Sequence, residues 1–491
     1  HTGKPVDMRQ LYIRSYFRSG WLCVDLMLLR MFLNLDRKDP SALAIVDDSG
    51  ERLTYGDLCD KAKEFSEVLP YRTLIFILAE NCNGSLLGYT SALSNGIVPL
   101  IISSHTEQSL FDALYERYQP EFLWLPTAKI VDYNLREVIY STSGYSLTRT
   151  GFVTPALYED LSLLLPTSGS TGSPKLVRHS YRNIEANAEN VMNLFGLTSS
   201  ERAMAVLPMH YTMGLSVIAS HLYAGATVLL CGKSLLDPGF WKMLKDGATS
   251  FTGVPYSFEL LSKLRFFRMD LPDLKIVTQG GGKLTEEMWM QLATYAKDKG
   301  KKFIATYGQS ECTARMAYLP AELASAKICS IGMAEPGGQL SIIDNDGNET
   351  FDGEAVGEMV YRGENVTLGY ATCKEDLLKG DENHGVMHTG DLVRRDMDGC
   401  YFIVGRLKRF LKIFGLRIGL DEVENLIRSN FDTDCYCSGD DEHLLIKLTN
   451  ANIASRIPSF IEEKTRLFYQ RVQVEIVDKI LRNEAGKVIN Q

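Results

Sequence analysis

The sequence predicts an α/β protein with a large N-terminal domain, residues 1–406, and a small α+β C-terminal domain, residues 407–491. Short apolar segments alternate with helical ones over most of the chain, a pattern typical of parallel sheets covered by helices. After Glu335 the pattern changes to closely spaced strands, which indicates an antiparallel β subdomain. A helical segment, Asp421–Arg428, then opens a separate unit after the run Gly405–Lys408.

The individual elements are predicted from periodicity and flanking residues. Buried strands are expected where apolar runs are bounded by polar residues, at Thr73–Ala79, Ile97–Ile102, Ala203–Leu207, Ala226–Leu230, Leu274–Thr278 and Lys302–Thr306. Helices are expected at Ser85–Ser94 and Leu284–Lys297. Gln339–Ile343 and Gly357–Arg362 are expected to pair antiparallel, with a tight Asp-Gly turn at Asn345–Gly347.

Length and composition indicate a globular protein of more than one domain. At about 100–200 residues per domain, a chain of this length holds two to four domains. Hydrophobic residues make up 45% and charged residues 23% of the 491, which excludes a disordered chain.

The charge and cysteine content exclude other classes. A net charge of −9 argues against a general nucleic-acid binder. Ten cysteines are too few for a disulfide scaffold, and Cys435 and Cys437 are too close together for a zinc knuckle. We therefore expect a reducing, cytoplasmic setting.

No transmembrane segment is expected, because no apolar run reaches the roughly 18–20 residues that a bilayer requires. The nearest candidate, Trp21–Leu35, is interrupted by Asp25 and Arg30 and is expected to be a helix packed on the domain. Three arginines precede it between residues 9 and 18, so a peripheral membrane or partner contact stays open.

The strongest chemical signal is the segment Leu161–Val177. A run of leucines leads into Thr167–Lys175, which is rich in hydroxyls and glycines and ends in a lysine. Glycines let backbone N–H groups approach an anion, and hydroxyls and a cation add donors to phosphate oxygens. The Walker phosphate loop does not match, because Pro174 separates the last glycine from the lysine. A flexible surface loop is the alternative.

This segment resembles the phosphate loop of the adenylate-forming superfamily, which includes acyl-CoA synthetases, aryl-acid ligases, adenylation domains of nonribosomal peptide synthetases and beetle luciferases. Further segments that resemble the family's motifs follow in the same order: Leu207–His210, Gln279–Leu284, Ala305–Glu311, His388–Asp391, Gly405–Lys408 and Asn483–Lys487. The resemblance covers nearly the whole chain.

The resemblance implies an activity and its small molecules. A small carboxylic acid would be activated by ATP, with Mg²⁺, to an acyl-adenylate with release of pyrophosphate. The acyl group would then pass to the thiol of coenzyme A or of phosphopantetheine on an acyl carrier protein. No carrier attachment sequence is visible near the C-terminus, so any carrier protein would be a separate chain.

The resemblance also implies roles for particular residues. Catalytic roles fall to Lys487, Glu311, Thr167 and His210. The nucleotide would be bound by Ser168, Gly169, Ser170, Thr171, Gly172, Lys175, Gly280, Gly281, Gly282, Tyr307, Gly308, Gln309, Ser310, Asp391 and Arg406. Within these sets Glu311 is the expected Mg²⁺ ligand, because Mg²⁺ prefers carboxylate and phosphate oxygens. Asp391 would accept the ribose hydroxyls and Tyr307 would stack on adenine. The alternatives are a solvated glutamate, a turn aspartate and a core aromatic.

The C-terminal domain resembles a mobile lid that carries the catalytic lysine. Lys408 would be its hinge, and Lys412 and Arg417 would reach the site in a second conformation, unless they form a solvated basic strand. Leu176 replaces the glycine that commonly follows the loop lysine, and Leu481-Arg482 lacks the usual proline. The C-terminal unit also looks short, which puts the second half-reaction in more doubt than the first.

The expected acid is fatty or aryl and carries no α-amine. Amino-acid-activating relatives hold the ammonium with an aspartate just after the pocket motif, but His210–Ser216 contains no carboxylate. An unpaired buried ammonium costs several kcal/mol. Apolar surface is expected instead from Met213, Leu215, Val254 and Tyr256, unless these residues only pack the core. His210 is interpreted as a gate, a carboxylate contact or a core histidine.

Two further functions stay open from the sequence. One is a binding protein that kept the nucleotide pocket without turnover, and the other is a luciferase-like oxygenase. Retention of Lys175, Glu311, Asp391, Arg406 and Lys487 argues against loss of turnover, and no residue here distinguishes an oxygenase.

Overall fold

The structure is a computed structural model, which describes residues 11–18, 21–28, 31–133, 137–166, 175–407, 409–413, 416–440, 442–482 and 488. Within these ranges the α-helices are Tyr55–Val68, Asn83–Ser94, Gln108–Tyr118, Tyr181–Phe195, Thr212–Ala224, Pro238–Lys245, Pro255–Lys263, Glu286–Asp298, Leu420–Asn430 and Ile457–Thr465. Short 3₁₀ helices lie at Phe32–Arg37, Thr127–Tyr133, Phe266–Arg268, Ser310–Cys312, Ala321–Leu323, Lys374–Leu378, Ala451–Arg456 and Tyr469–Arg471.

The first sheet has eight strands and a parallel centre. Its strands in spatial order are Gly369–Ala371, Leu176–Ser180, Leu161–Pro166, Val98–Ser103, Leu74–Ala79, Phe122–Pro126, Tyr145–Arg149 and Val138–Thr142. The four from Leu161–Pro166 to Phe122–Pro126 are parallel, and the outer strands pair antiparallel. The central strand Leu74–Ala79 is buried along its whole length, as expected for a parallel strand covered on both faces.

The second sheet has nine strands and is also parallel at its centre. In spatial order its strands are Met333–Ala334, Ala317–Leu319, Lys302–Tyr307, Ile276–Gln279, Ser250–Gly253, Arg202–Ala205, Thr227–Leu230, Leu43–Asp47 and Arg52–Thr54. The run from Lys302–Tyr307 to Leu43–Asp47 is parallel. The predicted alternation of strands and helices is therefore confirmed for both large sheets.

The two large sheets share one hydrophobic core. Ile75 of the first sheet and Ala203 of the second enter that shared core, whereas their neighbours Phe76 and Met204 face separate cores on the outer sides. Between the sheets the core takes apolar residues from four helices, Tyr55–Val68, Asn83–Ser94, Tyr181–Phe195 and Thr212–Ala224. Layers of sheet and helix therefore alternate through the domain.

A third sheet is antiparallel, as the sequence predicts after Glu335. Its strands in spatial order are Glu349–Thr350, Gly338–Ile343, Ala355–Gly363, Val386–Arg395 and Tyr401–Arg406. Gln339 pairs with Arg362 in this ladder, which confirms the predicted pairing. Gly347, with φ of +84°, makes the expected turn, which leads first into the short strand Glu349–Thr350.

The C-terminal residues form a small α+β unit with its own core. A hairpin pairs Phe410–Ile413 with Leu416–Gly419, and a separate sheet contains Cys435–Gly439, Leu444–Leu448 and Val472–Ile476. Residues of the helices Leu420–Asn430 and Ile457–Thr465 pack into the same hydrophobic cluster as this sheet.

The N-terminal apolar segment differs from expectation. Trp21–Leu28 is a strand rather than the predicted helix, and it pairs antiparallel with Leu11–Arg18. A short apolar run does not separate helix from strand by periodicity alone, and Leu22, Val24 and Leu26 also alternate with a period of two. Among the described residues, no helix combines the length and apolar character needed to cross a membrane.

Candidate active site

Two neighbouring parallel strands of the second sheet end at the predicted motifs. Gln279 is the last residue of one strand and Tyr307 the last of the next, and Gln279 pairs with Ala305. Thr306 Oγ1 donates to the carbonyl of Gln279 at 3.0 Å, which ties the two strand ends together. Ligands of open α/β sheets bind beyond the carboxyl ends of such strands, so this edge is the expected site.

The glycine turn after Gln279 is closely covered by the helix Thr212–Ala224. A Cβ on Gly280 would lie 2.8 Å from Thr306 Oγ1 and 2.9 Å from the Cε of Met213. Gly281 has φ of +76°, which favours glycine, and its Cβ would lie 3.1 Å from the same methyl group. Gly282 accepts a hydrogen bond at its carbonyl from Gln279 Nε2 at 2.5 Å. Met213 therefore fills the space beside the glycine turn.

The turn that follows Tyr307 is packed against its own continuation. A Cβ on Gly308 would lie 1.3 Å from the carbonyl oxygen of Ala314, so no other residue fits at this position. The backbone N–H of Cys312 and that of Ala314 both donate to the carbonyl of Gln309, at 3.0 and 3.2 Å. This compact turn fixes Gln309, Ser310 and Glu311 at the end of the strand.

Three other predicted residues donate hydrogen bonds to Asp391, which is 2% exposed. Arg406 Nε donates to Asp391 Oδ1 at 2.9 Å, and the two residues are partners in adjacent strands. The hydroxyl of Tyr307 and Gln309 Nε2, the latter at 3.1 Å, both donate to Asp391 Oδ2. Burial and then the carboxylate of Asp391 raise the pKa of Tyr307 well above its usual value, so the phenol stays a donor. The ring of Tyr307 packs against the core of the antiparallel sheet.

The donors around Asp391 limit how a ribose can bind there. Each carboxylate oxygen accepts about two hydrogen bonds. Among the described residues, Oδ2 has two donors, Tyr307 and Gln309, whereas Oδ1 has one, Arg406. A ligand with two adjacent hydroxyls would therefore use the free position on Oδ1 and displace one donor from Oδ2.

Glu311 and Lys175 meet around one tyrosine that the sequence motifs do not include. The hydroxyl of Tyr370 donates to Glu311 Oε1 at 2.7 Å. The Nζ of Lys175 lies 3.2 Å from the centroid of the same ring. Tyr370 reaches this place because it pairs with Val177, two residues after Lys175. The register between strands almost 200 residues apart is invisible in the sequence, so no local signal identifies Tyr370.

A buried polar network holds the Glu311 turn from behind. Asn365 Nδ2 donates to the carbonyls of Cys312 and Arg315 at 3.0 and 2.9 Å and to Glu335 Oε1 at 2.9 Å. Tyr361 donates to Asn365 Oδ1 at 2.8 Å. Burial raises the pKa of Glu335 to about 8, so its carboxyl is largely neutral at pH 7. None of the sequence motifs includes Asn365, Glu335 or Tyr361, which become neighbours only in the fold.

The stretch His210–Ser216, which follows the motif Leu207–His210, touches the turn Tyr307–Glu311, called here the Tyr-Gly turn. Thr212 Oγ1 lies 3.3 Å from Ser310 Oγ, which joins the two motifs. The ring of His210 lies against that of Tyr211, with centroids 4.4 Å apart. Burial lowers the pKa of His210 to about 4, so this imidazole is neutral at pH 7. Of the other predicted pocket residues, Leu215 and Val254 are buried, whereas Tyr256 is 60% exposed.

Several predicted residues lie outside the described part of the chain. These are Thr167, Ser168, Gly169, Ser170, Thr171 and Gly172 of the phosphate loop, the hinge residue Lys408 and the catalytic candidate Lys487. The backbones of Lys412 and Arg417 are partners in the C-terminal hairpin.

Residues 34–371 match the family model described as AMP-binding enzyme. The chain belongs to the AMP-binding enzyme family. The matched residues include Glu311, Tyr370 and the glycine turn, so most of the described site lies inside the family region.

A fatty acid–CoA ligase and an aryl acid–CoA ligase are among the proteins whose sequences resemble this AMP-binding enzyme. A long-chain-fatty-acid–CoA ligase of Escherichia coli is 26% identical over 378 residues, which cover 71% of this chain and 64% of the ligase. An indoleacetate–CoA ligase of Aromatoleum aromaticum is 30% identical over 301 residues, covering 60% of this chain and 57% of that protein. The aligned part of the chain thus spans less than two thirds of these relatives.

Solved structures share the fold over nearly the whole chain. The o-succinylbenzoate CoA synthetase of Bacillus subtilis, in complex with its acyl-adenylate intermediate, has a TM-score of 0.76 at 18% identity, covering 94% of this chain and 96% of the synthetase. ATP-bound MatB of Rhodopseudomonas palustris has a TM-score of 0.75 at 20% identity and covers 94% and 97% of the two chains. The predicted fold class is confirmed.

Proposed function

We propose that this AMP-binding enzyme uses ATP to convert a carboxylic acid into an acyl-adenylate, releases pyrophosphate, and transfers the acyl group to a thiol. One observation carries the proposal. The turn Tyr307–Glu311 binds Asp391, a buried carboxylate that suits ribose hydroxyls, at its start. It carries a second carboxylate, Glu311, at its end. The family membership and the acid–CoA ligases among its relatives support the same reaction.

The described residues suit a nucleoside triphosphate substrate. Asp391 offers a buried carboxylate for ribose hydroxyls, and Arg406, with 56% of its side chain exposed, can turn toward the ribose or a phosphate. Lys175, the first described residue after positions 167–174, supplies a cation for phosphate oxygens. Binding at Asp391 would exchange a donor on Oδ2 for a ribose hydroxyl.

The residues also fit a Mg²⁺ ion that arrives with the phosphates. The described residues contain no group of three His, Cys, Asp or Glu side chains that could hold a metal by themselves. Among the residues that the structure describes, Tyr370 donates to Glu311 Oε1 and none donates to Oε2. Mg²⁺ is commonly held by one or two carboxylates together with substrate phosphates, which it neutralises. Glu311 would therefore be its protein ligand.

The acid is proposed to be fatty or aryl and without an α-amine. A Cβ on Gly281 would lie 3.1 Å from Cε of Met213 and 3.2 Å from Cγ1 of Val254, so the space beside this glycine is bounded by apolar side chains. The neutral His210 adds no charge that would pair with an ammonium group. The indoleacetate and long-chain fatty acid named for the two relatives are acids of this kind.

The thiol acceptor and the lid belong to the same proposal. Coenzyme A is favoured because the relatives are CoA ligases, and a separate carrier protein remains the alternative acceptor. Residues 407–491 would form the lid, with Lys408 as its hinge and Lys487 as the group that stabilises charge between the carboxylate and the α-phosphate. All nine cysteines whose side chains are described are free thiols, which suits the reducing cytoplasm.

The test is ATP–pyrophosphate exchange with a panel of fatty, aryl and amino acids. Fatty or aryl acids should stimulate exchange, and Glu311→Gln should reduce it at least about 100-fold if the carboxylate holds the metal at the phosphates. Glu322→Gln, which changes an exposed carboxylate, is the matched control. Strong stimulation by a standard amino acid with none by the other acids would refute the substrate class. If no acid of the panel stimulated exchange, the proposed adenylation would be refuted.

A further inference from the structure

Tyr370 contacts two oppositely charged groups of the site at once. Its hydroxyl donates to Glu311 Oε1 at 2.7 Å, and the Nζ of Lys175 lies 3.2 Å from its ring centroid. An ammonium over an aromatic face is attracted by the ring quadrupole. In the described part of the chain, the lysine therefore contacts the ring and the glutamate contacts the hydroxyl, and the two charged groups form no direct ion pair with each other.

The backbone around Tyr370 is rigidly fixed. Tyr370 pairs with Val177 in the first sheet, and its carbonyl accepts a hydrogen bond from Nε of the fully buried Arg178 at 3.0 Å. Arg178 also binds Glu382 Oε2 at 2.6 Å. Gly369 makes room for this pair, because a Cβ there would lie 2.8 Å from Glu382 Oε2. The ring is thus held by contacts that do not depend on a bound nucleotide.

The partner of Tyr370 is anchored to the same segment. The backbone N–H and the hydroxyl of Thr367 each donate to the carbonyl of Glu311 at 3.0 Å. Loss of the tyrosine would leave an ammonium and a carboxylate free to approach, and their attraction would draw both away from the phosphates.

We propose that Tyr370 is a positioning residue that holds Lys175 and Glu311 apart, and that it aims the lysine at the triphosphate and the carboxylate at the accompanying Mg²⁺. This rests on the proposed function, because it assumes that ATP and Mg²⁺ bind here. In this proposal the hydroxyl of Tyr370 orients the Glu311 carboxylate, and the ring keeps the two charges apart.

Two variants separate these roles. Tyr370→Phe keeps the ring under Lys175 and removes the hydrogen bond to Glu311, whereas Tyr370→Leu removes both. ATP binding is measured by titration calorimetry in EDTA and over a Mg²⁺ series, so turnover is not needed. Tyr370→Phe should bind ATP normally in EDTA. It should need about tenfold more Mg²⁺ to reach half of the Mg²⁺-dependent gain in ATP affinity, roughly the effect of one hydrogen bond to a charged group. Tyr370→Leu should weaken ATP binding in EDTA as well.

The controls distinguish positioning from general stability. Tyr469→Phe changes a 45% exposed tyrosine and should alter neither titration. In a Glu311→Gln background, Tyr370→Phe should add no further Mg²⁺ effect, because the two residues act through one contact. Wild-type Mg²⁺ dependence in Tyr370→Phe, or equal effects of the Phe and Leu variants in both titrations, would overturn the inference.

The outcome also separates this inference from the proposed function. A wild-type protein that binds ATP with Mg²⁺ but exchanges pyrophosphate with no acid would refute adenylation, while the variants still decide the role of Tyr370. A wild-type protein that binds no ATP would overturn both.

Discussion

Arg406 and Asp391 face each other across adjacent antiparallel strands, with Arg406 Nε 2.9 Å from Asp391 Oδ1. The carboxylate is buried while 56% of the arginine side chain is exposed. This asymmetry leaves the carboxylate fixed and its partner free to turn toward a ligand. The pair marks the end of the site where we expect the ribose.

Asp391→Asn should weaken binding of both ATP and AMP by about 10- to 100-fold, because a buried charged acceptor for ribose hydroxyls is lost. The amide also presents two N–H donors to a place already filled by the donors Tyr307 and Gln309. Titration calorimetry with AMP measures the effect without turnover. Asp352→Asn changes an exposed carboxylate and is the control. Unchanged AMP affinity in Asp391→Asn would show that the carboxylate is only structural.

Lys487→Ala should abolish formation of the acyl-adenylate while largely sparing thioester formation from a supplied acyl-adenylate. The reason is the proposed lid rotation, in which Lys487 serves the first half-reaction and leaves the site for the second. Pyrophosphate exchange and thioester release measure the two steps separately. Lys479→Ala, at an exposed position, is the matched control. Equal loss of both half-reactions would contradict this division.

Lys408→Pro should give the reverse pattern. Proline fixes φ near −65° and should block rotation at the proposed hinge, so adenylation should persist while thioester formation falls. The same two assays apply. Normal turnover of this variant would mean that the hinge lies elsewhere in the chain.

The parts of the fold predicted from sequence are those coded by local pattern. Leu74–Ala79, within the predicted strand Thr73–Ala79, is apolar throughout because the strand is covered on both faces, and the structure buries every one of its residues. The glycine turn and the Tyr-Gly turn were placed correctly at strand ends, since each follows a recognisable strand. Trp21–Leu28 was wrongly predicted as a helix, because an apolar run of that length fits either periodicity.

The parts of the site missed by the sequence analysis depend on long-range pairing. Tyr370 reaches Glu311 and Lys175 only through the register of an edge strand with the strand after the phosphate loop. Asn365 and Glu335 meet behind Cys312 although neither belongs to a motif. The contacts of such residues depend on how the strands pair, so a local sequence pattern does not predict them.

Glu335→Gln should change how stability depends on pH. Burial raises the pKa of Glu335 from 4.5 to about 8, so the folded protein keeps a proton that the unfolded chain releases. Its contribution to stability is therefore complete below about pH 4.5 and is lost as the pH rises to about 8, at about 1.4 kcal/mol per pH unit. Glutamine resembles the neutral carboxyl and can accept from the Nδ2 groups of Asn190 and Asn365 as Glu335 Oε1 does. The variant should lack this loss, so its Tm should rise relative to wild type between pH 6 and pH 8 (about two pH units of the titration).

Glu322→Gln, at an exposed position, should follow the wild type throughout. Parallel Tm curves for Glu335→Gln and the wild type would mean that Glu335 is already ionised in the folded protein near pH 6, with the donors Asn190 and Asn365 stabilising its charge.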